Sequence, residues 1–207
     1  MARSLVVDDA LEAFRNRQSP PPAYFYCSRN PGEAGRSDPG AILGSIARQL
    51  SCLGPGLPLL HPTVAAYTAH EEEAFAAESL RLQESRNLIL QLTEHYPTVT
   101  IVIDALDECN PATRKDLLDV IEFILRESSS LVKVFVSSRD DQDIVHKLQK
   151  YPNLEISSDR NSSDIVKFVE SETRSLIKRG ELLTGSERKE ELQQMIIYKV
   201  VSGAGGM

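Results

Sequence analysis

The sequence predicts an α/β domain: a parallel β-sheet flanked by helices, followed by a helical C-terminal segment. Short apolar runs, Ala23–Cys27, Thr98–Ile103 and Leu131–Val136, alternate with longer stretches of helical periodicity. That alternation is the signature of strand–helix–strand units. Thr98–Ile103 is rich in β-branched residues and ends in carboxylates, which suits a strand buried on both faces with its C-terminal end open to a ligand. With 207 residues and an apolar share of 41%, the chain can build one ordinary domain, or one and a fraction.

Taken in order, Ser4–Arg17 has Leu5, Val6, Leu11 and Phe14 near helical spacing, and the cluster Ser19-Pro20-Pro21-Pro22 stops it. Ala23–Cys27 is a short strand, bounded by Pro22 and by the polar turn Ser28–Ser37. Asp38-Pro39 reads as an N-cap and a first-turn proline. The helix behind it lines up Ile42, Leu43, Ile46, Ala47, Leu50 and Leu53, and Gly54-Pro55-Gly56 ends it. In Leu57–Ala77, Pro58 and Pro62 interrupt regular structure, and Glu71-Glu72-Glu73 reads as a solvated face. A helix resumes near Ser79 and runs to about His95, where Pro97 turns the chain into Thr98–Ile103.

Beyond Pro111, a helix carries Leu117, Leu118, Ile121, Ile124 and Leu125 on one side. Ser128-Ser129-Ser130 is a loop, Leu131–Val136 a second strongly apolar strand, and Gln142–Gln149 a short helix. Leu154-Glu155-Ile156 reads as a short strand. Asn161-Ser162-Ser163-Asp164 resembles a capping box opening a helix with Ile165, Phe168, Val169 and Leu176 on one side. A last helix covers about Glu187–Val201. The expected division is 1–158 for the α/β part and 159–207 for the start of a helical region.

Composition narrows the function classes. A net charge of −7 argues against a general nucleic-acid binder, which needs a Lys/Arg excess along one face. Cys27, Cys52 and Cys109 show no C-x-x-C spacing and suit reduced thiols in a cytoplasmic chain. Met1–Asp9 lacks the long apolar region of a signal peptide. No segment approaches the roughly 18 apolar residues of a membrane helix, so no membrane partner is expected. His61, His70, His95 and His146 have no metal-ligand spacing, and no G-x-S-x-G elbow is present.

The chemistry concentrates in Asp104, Asp107 and Glu108. Asp104 directly follows the apolar strand, where its carboxylate would face the ligand crevice and hold a hydrated Mg²⁺ that also touches phosphates. Asp107 or Glu108 lies within reach of a water attacking a γ-phosphate. The alternative is that these acids cap the helix after Pro111 and face solvent; a metal-dependent nuclease is a minor option. Arg139 ends the next apolar strand and would point into the same crevice, where its planar fork can bind phosphate oxygens. Its alternative is a surface pair with Asp140 or Asp141. The phosphate loop G-x-x-x-x-G-K-[ST] does not occur in these residues. Its nearest approach, Asn30–Ser37, has Asn for the first Gly and Arg for Lys. Asp38 would repel a phosphate there and Pro39 removes an amide donor, which favours a polar strand-to-helix loop.

Val99–Cys109, with its core Ile-Val-Ile-Asp-Ala-Leu-Asp-Glu-Cys, resembles the Walker B segment of NACHT-type signalling P-loop NTPases of the STAND class. The best match is the subgroup with a nephrocystin-3-like N-terminal domain, common in fungal NOD-like receptors. Ala23–Cys27 resembles that family's aromatic second strand, and Ala41–Leu50 its following helix. Phe135–Arg139 resembles its sensor strand with a terminal Arg. Asn161–Val169 and Ala204–Met207 resemble its helical region and exit motif. The resemblance covers nearly the whole chain, and the Walker B and sensor pieces are its specific parts.

What the resemblance implies is an incomplete P-loop NTPase-like parallel sheet. In the family, the phosphate loop precedes the helix that Ser4–Phe14 would match; residues 1–207 contain neither that loop nor the strand before it, as in a fragment. The implied cofactors are Mg²⁺ with ATP or GTP. Asp104 would hold the metal, Asp107 and Glu108 would position or activate water, and Arg139 would sense the γ-phosphate. The implied role is a nucleotide-dependent signalling switch, catalytically incompetent in this chain alone. The competing role is a non-catalytic interaction or scaffold module that keeps the fold. Implied partners are the nucleotide in the intact protein, self-association, and ankyrin or WD repeats in full-length relatives. In the family the first strand lies between the sensor strand and the last strand. Without it, Leu131–Val136 should border a gap or pair with Leu154–Ile156, exposing apolar strand surface and lowering stability.

Overall fold

A computed structural model describes residues 5–16, 22–54, 56–72, 80–155 and 158–203. Two compact units emerge, Met1–Lys150 and Tyr151–Met207. The first contains helix α1 (Leu5–Arg15), strand β1 (Ala23–Tyr26), helices α2 (Pro39–Leu50), α3 (His61–Glu72) and α4 (Leu82–Thr93), strand β2 (Thr98–Asp104), helix α5 (Arg114–Glu127), strand β3 (Leu131–Val136) and helix α6 (Gln142–Leu148). The second contains α7 (Ser158–Lys178) and α8 (Lys189–Gly203), which pack on each other.

The fold is α/β, with a three-stranded parallel sheet in the order β1-β2-β3. The register pairs Tyr26 with Asp104 and Ile103 with Val136. Crossovers between parallel strands are nearly always right-handed. Strands added in chain order therefore place their connecting helices on one face. α2, α4 and α5 do pack on one another. Ile42, Leu43, Ile46, Ala47 and Leu50 of α2 meet Leu88, Ile89 and Leu92 of α4, Leu117, Leu118, Ile121 and Ile124 of α5, and Val99, Ile101 and Ile103 of β2 in one core. The Asp38 cap is present: its Oδ2 accepts the Ala41 N–H at 2.8 Å, with Pro39 in the first turn.

The alternation of side chains across strands puts Thr98, Thr100, Val102 and Asp104 on the face away from that core, with Leu131, Lys133 and Phe135 beside them in register. β3 is the edge: among the described residues no further strand pairs with its outer side. Leu131 is 58% exposed and Phe135 43%, the uncovered apolar strand surface that the sequence leads one to expect.

Some local expectations fail. Leu154 and Glu155 form no strand, and Leu154 is 86% exposed; Ile156 lies outside the described residues. Two apolar residues around a Glu bury too little surface to hold a strand that has no paired neighbour. The Leu57–Ala77 stretch contains α3, because Pro62 occupies its first turn, where no intrahelical N–H is needed. Leu53 is not part of the α2 face; the helix ends at Leu50 and Leu53 is half exposed. α7 begins at Ser158, so Asn161–Asp164 lies inside it rather than opening it. Phe168 is exposed, whereas Thr173 is buried with Ile165, Val169 and Leu176 half-buried. At 3.6 residues per turn those four share one stripe and Phe168 falls at its margin. The Pro20-Pro21 stop, Glu73 and the closing Ala204–Met207 lie outside the described residues. Among the described residues, no helix is long and apolar enough to cross a membrane.

Candidate functional site

Three parallel strands share one C-terminal edge, and β2 delivers Asp104 to it. The residue that follows β3, Ser137, is bound closely to that position. Its hydroxyl donates to Asp104 Oδ1 and accepts the Ala105 N–H at 2.9 Å. The Ser137 N–H donates to the Ile103 carbonyl at 3.0 Å, and its carbonyl accepts the Leu106 N–H at 2.9 Å. On the other side, the Cys27 N–H donates to the Asp104 carbonyl at 2.9 Å. Asp104 is half-buried, and among the described residues no hydrogen bond reaches its Oδ2.

Ala105 leaves the strand in the left-handed region, with φ 56° and ψ 51°. A non-glycine residue there costs on the order of 1 kcal/mol. The turn it makes sends Leu106 into the core, fully buried, and starts a single helical turn, Leu106–Glu108. Asp107 is 7% exposed. Its Oδ1 accepts the Arg139 N–H at 3.1 Å, and its Oδ2 lies 3.6 Å from Arg139 Nε. Glu108 Oε2 accepts the Arg29 N–H at 3.1 Å, while the Arg29 guanidinium donates to the Asp107 carbonyl. The Arg139 side chain stays 81% exposed.

The two bland alternatives for these residues are not what the geometry shows. α5 is capped at Thr113 without a side-chain bond, so neither Asp107 nor Glu108 caps it. Arg139 pairs with Asp107, and Asp141 is engaged by Arg114 instead. Asp104, Asp107, Glu108 and Arg139 thus gather at one end of the sheet.

Three further residues complete the cluster. Ser137 ties β3 to β2, and Arg29 clasps the acidic turn from the loop after β1. Arg114, only 2% exposed, reaches the carbonyl of Asp107 from the first turn of α5. A readable signal existed for Arg114: it stands three, four and seven residues before Leu117, Leu118 and Ile121, on the apolar stripe. Arg29 and Ser137 carry no comparable pattern.

Burial pushes the Cys27 thiol up to about 12, with Cys109, Asp104 and Asp107 acting in the same direction and Arg36 opposing. Burial likewise pushes Cys109 up to about 11, opposed chiefly by Arg114. Both thiols stay protonated at neutral pH, so neither is an activated nucleophile.

Among the described residues no group of three or more His, Cys, Asp or Glu side chains is placed to cage a metal ion, so the only metal these donors could take is a hydrated Mg²⁺ on a single carboxylate. Asp104 Oδ2 can serve such an ion, which takes one or two carboxylates and keeps its waters. Phosphate binding calls for a row of free backbone N–H groups and a lysine. The loop after β1 and the start of α2 offer no such row, because Arg29 N–H goes to Glu108 Oε2 and others are spent locally. Gly32 N–H goes to Asn30 Oδ1 at 3.0 Å, Glu33 N–H to the Asn30 carbonyl at 2.8 Å, and Ala41 N–H to Asp38 Oδ2. Asn30–Ser37 is therefore a closed polar loop, not a phosphate cradle.

The family described as Nephrocystin 3, N-terminal, matches residues 1–139. The match takes in β1, β2, β3 and the cluster at their C-terminal ends, up to Arg139. No curated protein and no solved structure matches the chain.

Proposed function

The chain belongs to the nephrocystin 3 N-terminal family, and from that premise we propose that it carries the acidic and sensor half of a NACHT-like, nucleoside-triphosphate-dependent signalling switch. Residues 1–158 are the nucleotide-facing part in this reading, and 159–207 begin the helical region. The observation that carries it is Asp104, held by Ser137 through one oxygen at the end of the central strand, with the other oxygen left to a ligand. Asp104 is the Mg²⁺ ligand, and Arg139, exposed and anchored through its N–H, is the group that meets a γ-phosphate. When bound, Mg²⁺ supplies charge neutralisation for the ATP or GTP phosphates. Asp107 and Glu108 position the acidic turn through backbone N–H groups, and any action on water needs one of their remaining oxygens. The phosphate-holding loop belongs beside the free edge of β3, and no residue described here replaces its lysine.

The reading is tested by titrating labelled ATP and GTP, with and without Mg²⁺, into the 207-residue chain, and by assaying hydrolysis. We expect hydrolysis at background, and weak nucleotide binding that needs Mg²⁺ and drops on Asp104→Ala. Hydrolysis that disappears on Asp104→Ala would overturn the incompetence. Absence of any Mg²⁺-dependent binding, even after an in-frame strand and G-x-x-G-x-G-K-S loop are fused before residue 1, would overturn the switch.

A second reading is favoured by the way Asp107 and Glu108 are spent on N–H groups. In it the fold is a non-catalytic interaction module, and the acids only brace loops. Specific self-association or partner capture without nucleotide binding is its expected outcome.

A further inference from the structure

We infer that Arg114 is a positioning residue that makes the acidic turn, Ala105–Cys109, and the segment after β3, Ser137–Asp143, which runs into the first turn of α6, move as one body. Its guanidinium is 2% exposed and reaches both segments at once. Nε and Nη2 donate to the two Asp143 oxygens at 2.9 and 2.7 Å, and Nη2 also donates to Asp141 Oδ2 at 2.9 Å. Nη1 donates to the Asp107 carbonyl at 3.1 Å, with the Leu106 carbonyl at 3.5 Å.

Burying a charge is costly, and an apolar side chain of similar size is often as stable or more so in such a place. Arg114 stands on the apolar stripe of α5, where Leu or Met would pack without that cost. Stability alone therefore does not account for it. What a guanidinium adds is a rigid planar fork that fixes direction to several acceptors together. The two segments joined by this fork are those that carry Asp107, Glu108 and Arg139.

A second tie runs parallel to the first. The Arg139 N–H donates to Asp107 Oδ1, and Arg139 lies between Ser137 and Asp141 on the same loop. A displacement at Arg139 is thereby transmitted to the acidic turn. Lys147 of α6 continues the path outward: its Nζ lies 2.6 Å from Asp119 and 2.7 Å from Glu122 on α5. The coupling rests on geometry alone. Its use in relaying a γ-phosphate signal rests on the nucleotide reading above.

Amide hydrogen exchange on the full 207-residue chain, without nucleotide, tests the coupling. Asp143→Asn is the primary variant, because the Asp143 side chain is 52% exposed and the fold does not need its burial. Hydrogen bonds to charged groups are worth enough that losing one raises local opening roughly tenfold or more. We expect the amides of Leu106, Glu108 and Cys109 to exchange about tenfold faster by that measure, although Asp143 touches none of them. Amides of Leu88–Leu92 in α4 should be unchanged, and Asp143→Glu should restore protection. Faster exchange confined to Gln142–Val145, with the acidic turn untouched, would overturn the inference. Arg114→Met adds an independent arm: a variant that melts like the parent but keeps full protection in both segments would also overturn it. If Arg114→Met fails to fold, Asp143→Asn still decides. Because no nucleotide is present, failure here is distinct from failure of the switch reading.

Discussion

Raising the pH above 9 should weaken this fold through two buried thiols. Cys27 is 6% exposed and Cys109 is fully buried. Burial raises both above the ordinary value of 9.0, Cys27 to about 12 and Cys109 to about 11. The folded chain keeps protons that the unfolded chain releases. Their stabilising contribution is therefore complete below pH 9 and is lost as the pH rises toward 11 and 12. At pH 10 an unfolded thiol is mostly ionised, which favours unfolding by about 1.4 kcal/mol per thiol and about 3 kcal/mol for the pair. That is a large share of a typical stability of roughly 5–15 kcal/mol. The assay is urea unfolding at pH 8, 9 and 10, at fixed ionic strength and with excess reductant. The parent is compared with Cys27→Ala, Cys109→Ala and the double variant. Tyr96, raised by burial, and Lys147, raised by Asp119 and Glu122, also lose stabilisation at alkaline pH, but equally in parent and variants. The double variant starts less stable and should lose far less between pH 8 and 10. Parallel loss in parent and double variant would refute the reasoning.

Asp38→Ala removes the acceptor for the Ala41 N–H at the start of α2; it should lower stability by about 1 kcal/mol in the same unfolding assay, and Asp38→Asn by much less. The uncovered face of β3 should drive association at high concentration. Leu131→Lys with Phe135→Lys, at positions already 58% and 43% exposed, should reduce light scattering and the sedimentation-derived mass while changing unfolding little.

The uncovered face of β3 shows how topology follows from a linear pattern. Three apolar runs separated by helical stretches demand parallel strands, and right-handed crossovers then place α2, α4 and α5 on one side. Every step of that is legible along the chain, as is the Asp38 cap, because each depends on neighbours close in sequence. Leu154–Ile156 misled for the converse reason. A three-residue apolar pattern is a strand only if another strand offers it hydrogen bonds, and that is a property of the assembled sheet.

The acidic cluster divides along the same line. By itself the sequence determined that Asp104 ends a buried strand, that Asp107 and Glu108 follow within one turn, and that Arg139 lies just beyond the next strand. Strand period and sheet polarity require as much. It also determined the family, through the run Ile101–Cys109 and its flanking strands. Only the tertiary structure decided the partners. Asp107 is committed to the Arg139 N–H, Asp104 to the Ser137 hydroxyl, and the buried Arg114 to both loops. These bonds join residues from 7 to 33 positions apart. Their geometry exists only once β2, β3 and α5 are packed, because a hydrogen bond depends on distances of tenths of an ångström that no local pattern encodes.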